Sequence, residues 1–159
     1  MSDPTFALTF VAALGCALAA GVFYAFSTFV MAGLDRSSPG TAVAAMQGIN
    51  RAAPGPALMS VLFGTAALSL AVAVVALLGN FGAGGTFAVA GAAAYLLGVV
   101  GVTMACNVPL NERLDRVDAD GPTAAAEWSH YHRRWRAWNH VRTLGGLAAT
   151  AGMIAALAA

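Results

Sequence analysis

Lysine is missing from this 159-residue chain, and its charge rests on eight arginines and seven acids, 9% of the residues against 59% hydrophobic. Soluble domains carry roughly a quarter charged residues, so water cannot be the main solvent of this surface. Cysteine is scarce too. Cys16 and Cys106 lie singly inside apolar runs, which argues against a disulfide framework or a thiolate zinc site and makes both small buried side chains. A net charge of +1 lacks the broad basic field of a nucleic-acid binder, so no nucleic acid is expected as a partner.

What the chain does have is long apolar runs. Residues 6–34, 57–78, 86–106 and 138–158 each approach or exceed the roughly 17 residues needed to cross hydrocarbon. The expected fold is all-α: an integral membrane four-helix bundle, one transmembrane domain over residues 1–159, with the lipid bilayer as its first partner. The first run has no arginine ahead of it and outlasts the roughly 7–15 residues of a cleavable signal core, so it is expected to stay as a membrane helix. Glycine and alanine recur in every span, as in Gly15-Cys-Ala-Leu-Ala19 and Gly101-Val-Thr-Met-Ala105, where they let backbones approach closely. Such faces would serve a homo-oligomer as well as a single bundle.

The connections differ. Gly79-Asn-Phe-Gly-Ala-Gly-Gly85 is a short turn between antiparallel neighbours. The first connection opens with Ser37-Ser-Pro39, a helix-start signal, and stops at Pro54 and Pro56, so a short interfacial helix is expected between them. The third connection, residues 107–137, reads as two helical pieces broken at Asp120-Gly-Pro122, the second running on into the last span. Outside the spans, arginines occur only in the first and third connections. The positive-inside rule therefore places both of those in the cytoplasm and both termini outside.

Reactive side chains gather at the arginine-bearing end. Tyr24, Ser27 and Thr28 end the first span, Asn107 and Asn111 follow the third, and Trp138, Asn139, His140 and Arg142 open the fourth. Trp128, Tyr131, Trp135, Trp138 and Arg142 follow spacings of three and four, one helical stripe, readable as an aromatic belt at the headgroups or as the lining of a site. An arginine at the membrane edge either snorkels or turns inward to a partner, and Asp35 and Glu112 are the acids in reach. Asn107 could instead cap a helix. No metal site is expected, because His130 and His132 diverge on a helix and no ligand lies four residues from His140. His132, Arg136 and His140 do share a face, which leaves a metal or haem at the membrane edge open.

Asn107-Val-Pro-Leu-Asn111-Glu112, then Trp135, then Trp138-Asn139-His140-Val-Arg142 resemble the anthrone oxygenase-like family of small membrane proteins. Gly21-Val-Phe-Tyr-Ala-Phe-Ser27 and Met46-Gln-Gly-Ile-Asn50 are similar to its other recurrent stretches. The resemblance implies a membrane-embedded oxygenase that uses dioxygen as co-substrate on a small apolar aromatic substrate of the anthrone type. It needs no other cofactor, and a bacterial inner membrane is implied. On that reading His140 is the base, Arg142 with Asn107 or Asn111 stabilises the enolate, and Phe23, Tyr24, Phe26 and Trp138 form aromatic walls. Asn50 and Asn139 are further substrate contacts. The competing expectation is a non-enzymatic membrane bundle, a small-molecule-binding, permease-like or assembly protein, whose asparagines and Arg142 only hold helices together.

Overall fold

The computed structural model describes residues 3–159, and all their regular structure is helical. Four helices are long and apolar enough to cross a membrane: α1, Pro4–Leu34; α3, Pro56–Leu77; α4, Gly82–Asp115; and α5, Ala124–Ala158. The expected short helix of the first connection is α2, Pro39–Ala52. Ser38 caps it by accepting the Thr41 N–H at 3.3 Å, and Pro39 sits in its first turn, where a missing N–H costs nothing. Pro56 likewise opens α3. Beyond α3, Gly79 (φ 84°) and Gly82 (φ 54°) take the left-handed conformation that reverses the chain.

The second polar piece does run unbroken into the last span, as α5. The third span behaves differently from its expected end near Cys106. It continues through Asn107-Val-Pro109 to Asp115, and Asn107 caps nothing. A π-helical turn, Thr103–Asn107, lies directly ahead of Pro109. Such a turn changes the hydrogen-bond register and can accommodate the N–H that proline lacks and the bulk of its ring.

α5 packs along both α1 and α4, and α3 closes the ring by touching α1 and α4. Small residues set these distances. A Cβ built on Gly152 would lie 2.7 Å from the Gly91 Cα, and one on Gly145 would lie 3.0 Å from that of Gly98. The glycines of α4 and α5 are thus a specific contact surface. At the polar end, α2 is fastened to α4 by Gln47, whose Nε2 donates to the carbonyls of Leu114 at 2.9 Å and Val117 at 2.8 Å.

The distribution of polarity is that of a protein dissolved in lipid. Leu14, Leu18, Leu70, Leu97, Leu144 and Ile154 are exposed, whereas Thr9, Ser69, Asn107, Asn139 and Arg142 are buried. Apolar side chains outside and polar ones paired inside fit a bundle solvated by acyl chains. The chain is an integral membrane protein.

Candidate functional site

The aromatic stripe of α5 turns inward. Trp128, Tyr131 and Trp135 are buried against Met31, Val43, Met46 and Leu114. Their rings stack in sequence, with centroids 6.0 Å apart for Trp128–Tyr131 and 6.1 Å for Tyr131–Trp135. A polar tip on a buried ring needs a partner, and each finds one. Trp128 Nε1 donates to Asp35 Oδ1 at 2.9 Å. Tyr131 Oη and Trp135 Nε1 both donate to Asn111 Oδ1, at 2.9 and 2.8 Å. With that oxygen occupied twice, Asn111 has its amide N–H groups left to offer a ligand.

Arg142 lies further along the same helix and is 5% exposed. Its Nη2 donates to Asn139 Oδ1 at 2.7 Å and its Nη1 to Thr103 Oγ1 at 3.3 Å. The guanidinium carbon stands 4.3 Å from the Phe23 ring centroid and 5.0 Å from that of Trp135, within cation–π range. Its Nε is buried without a hydrogen-bond partner. Neither acid expected to neutralise it does so. Asp35 accepts from Trp128, 14 residues and so roughly 20 Å back along α5, and lies 3.6 Å from His132 Nδ1. Glu112 is nine residues, roughly 14 Å, beyond Thr103 along α4. Among the described residues Arg142 forms no ion pair.

Asn139 holds this arginine in place. It is fully buried, and its Nδ2 donates to the Phe23 carbonyl and to Ser27 Oγ, both at 2.7 Å. Ser27 in turn meets Thr143 at 3.0 Å. One carboxamide thus ties α1 to α5 and fixes the guanidinium by its other end.

Arg142, Phe23 and Trp135 line a cavity of about 160 Å³, together with Phe26, Asn50 and Asn111 and an apolar wall that includes Met46, Met59 and Leu62. Asn50 Nδ2 is buried there with no hydrogen-bond partner, beside the Tyr131 phenol. Three of the lining residues, Phe26, Leu62 and Thr103, belong to π-helical turns, which recur at functional sites in helices. A second space of about 220 Å³ shares Asn50, Pro54, Val108 and Asn111 with the first and adds Arg51, Glu112 and Asp115. The two carboxamides therefore stand in a wall common to both spaces. A cavity of about 150 Å³ holds one benzene ring, so a three-ring molecule would more than fill this chamber.

Of the residues expected from sequence, Phe23, Phe26, Asn50, Asn111 and Arg142 come together around this chamber. Asn107 and Asn139 stand behind it as buried supports; Asn107 Nδ2 donates to the Trp135 carbonyl at 3.2 Å. Tyr24, Trp138 and His140 are exposed and do not reach it. His140 lines a separate groove on the outer face of α5 with His132, Arg133 and Arg136. Thr103 and Met46 were not among the residues expected to line a site, whereas Trp135 was expected under one of the two readings of the α5 stripe. The stripe it shares with Arg142 is the signal that pointed to Trp135; Thr103 carries no local signal.

An aromatic-walled, donor-lined chamber inside a membrane helix bundle defines a class: integral membrane proteins with an internal pocket for a small molecule. The chain matches the sequence profile described as anthrone oxygenase over residues 56–152, from α3 through most of α5, and it belongs to that family. No curated protein and no solved structure matches it. Phe23, Phe26 and Asn50, on α1 and α2, lie outside the matched stretch.

Proposed function

We propose that the whole chain is one transmembrane domain acting as an oxygenase, converting the methylene of a flat phenolic ketone of the anthrone type to a carbonyl with dioxygen. The observation that carries this reading is Arg142: a buried guanidinium without a carboxylate, at the wall of an aromatic chamber. A charge in that setting is costly unless something pairs with it, and an enolate oxygen would complete it. Asn50 and Asn111 add N–H donors, and the chamber offers no acidic side chain to repel an anion.

The chemistry balances without an added electron carrier. Loss of a methylene proton gives the enolate, whose oxygen the guanidinium stabilises. The electron-rich carbon passes an electron to dioxygen, and the resulting pair combine as a carbon-bound peroxide. The remaining hydrogen on that carbon leaves as a proton, the O–O bond breaks, and the carbon keeps one oxygen as the new carbonyl. The other oxygen departs as water, so the carbon loses four electrons and dioxygen gains four. Purified protein in nanodiscs should consume one dioxygen per anthrone, well above the spontaneous rate. Uptake no faster than in empty nanodiscs would sink the proposal.

His140 offers a sharp test of where the reaction occurs. With the reaction in the chamber, His140→Gln should keep kcat within about two-fold. A fall of roughly 10²–10⁴-fold, the usual contribution of a positioned base, would move the site to the outer groove of α5. For orientation, we propose cytoplasmic first and third connections, from the arginines they carry. A cysteine introduced at Asp118 should resist an impermeant thiol reagent in intact cells while tags at both termini are accessible; the opposite labelling pattern would invert the topology.

A further inference from the structure

The polar end of α5 has an outer face that the chamber does not use. A groove of about 260 Å³ there is lined by His132, Arg133, Arg136, Ala137 and His140. We propose that it binds the phosphate of an acidic phospholipid, a role that goes beyond the proposed oxidation and does not depend on it.

Charge is the first argument. Arg133 and Arg136 are one helical turn apart, where like charges repel, and neither forms an ion pair among the described residues. No acid lines the groove. Asp35, 3.6 Å from His132 Nδ1, is already held by Trp128 Nε1, and Glu127 on the same helix is held by Arg113. The groove therefore presents two guanidinium groups without a carboxylate, and His132 adds an Nε2 that is buried with no hydrogen-bond partner. A phosphate, with several acceptor oxygens, is the anion that such donors pair with best. A metal ion fits badly, because His132 and His140 are eight residues, roughly 12 Å, apart along the helix, with two cations between them.

Position makes that phosphate a lipid's. Arg133, Arg134 and Arg136 precede Trp138, which is 39% exposed, whereas the exposed apolar side chains that follow on α5 are Val141, Leu144 and Leu147. This change from charged to apolar surface marks the headgroup level, and the basic groove lies on its polar side. Directly beyond, a second groove of about 470 Å³ runs between α4 and α5, with Leu97, Gly98, Val141, Leu144, Gly145 and Ala148 in its wall. Gly98 and Gly145 supply no side chain to fill it. Ala137 of the basic groove and Val141, Leu144 and Ala148 of the apolar one follow at spacings of four, three and four, so one row of α5 leads from headgroup to acyl-chain depth. A free phosphate would use the first groove alone; a phospholipid occupies both.

Native mass spectrometry of the purified protein released from detergent micelles tests this. Wild type should retain dioleoyl phosphatidylglycerol in preference to dioleoyl phosphatidylcholine. Arg133→Gln and Arg136→Gln should each weaken phosphatidylglycerol binding by about five-fold and the double variant by about 30-fold, the scale of one and two basic side chains at an anionic lipid surface. Arg134→Gln removes the same charge from an exposed position outside the groove and should bind as wild type does. Ala93→Phe, which fills the apolar groove from its exposed rim, should weaken binding too, and excess inorganic phosphate should not displace the lipid. Phosphatidylglycerol should also raise the melting temperature of wild type but not of the double variant. Equal retention of the two lipids by wild type would overturn the assignment without recourse to any variant, as would equal losses in Arg134→Gln and Arg136→Gln. Binding that inorganic phosphate displaces and Ala93→Phe leaves intact would also overturn it, in favour of a free-phosphate site.

Discussion

Arg142→Gln is expected to cut anthrone-dependent dioxygen uptake by roughly 10²–10³-fold, the effect of removing one preorganised oxyanion donor, without lowering the melting temperature. The two halves of that expectation have one cause. A guanidinium held 5% exposed with no carboxylate costs several kcal/mol of desolvation on the order of other buried ions, only part of which its hydrogen bonds and ring contacts return. Glutamine removes the buried charge and its desolvation cost while keeping an N–H donor on the Asn139 side of the helix. In the proposed reaction the guanidinium lowers the pH at which the bound substrate ionises. Without it the pH–rate profile should shift upward by about 2–3 units, the same 10²–10³ expressed at 1.36 kcal/mol per unit. Arg142→Lys keeps the charge and loses the planar fork, so it should fall between the two. Full activity in Arg142→Gln would remove the cation from the mechanism, and a large drop in melting temperature would make it a structural tie.

Gly152→Ala should destabilise the bundle by about 1–3 kcal/mol, the usual cost of overpacking, although the same change in an open helix position normally helps. The added Cβ would meet the Cα and N of Gly91 and the carbonyl of Phe87, all backbone atoms between 2.7 and 3.0 Å away. Backbone cannot rotate aside, so α4 and α5 must separate. Gly152→Leu should abolish recovery of monodisperse protein. Gly21→Ala is the matched control, since its Cβ meets nothing within 4 Å, and it should be neutral or slightly stabilising. Thermal unfolding in detergent, followed by the loss of monomer on size exclusion, reads all three. Equal behaviour of the Gly152 and Gly21 variants would mean that the helices are not in backbone contact.

The sequence made some parts of this architecture plain and hid others for a physical reason. Apolar runs revealed the spans because length alone decides them, and Ser38 with Pro39 announced α2 because capping is local. Helical spacing also put Trp128, Tyr131, Trp135 and Arg142 on one face correctly. It could not say which face looked inward. In water the apolar side of a helix is the buried side, but in a bilayer both surroundings are apolar and that signal vanishes. A headgroup belt and an internal ladder therefore look alike in sequence. Trp138, at the drifting edge of the stripe, is 39% exposed, while Asn139 beside it is fully buried. The continuation of α4 through Pro109 was hidden likewise, since the π-helical turn that accommodates the proline has no compositional mark.

The outward-facing leucines and phenylalanines have a kinetic consequence. They immerse the chamber in a phase where both reactants of the proposed oxidation dissolve better than in water, since dioxygen and fused aromatic rings each partition into hydrocarbon. The concentration that governs turnover is then moles per volume of lipid, not of buffer. Adding empty vesicles at fixed total substrate should dilute the substrate within the lipid and slow the proposed dioxygen uptake, although the composition of the buffer has not changed.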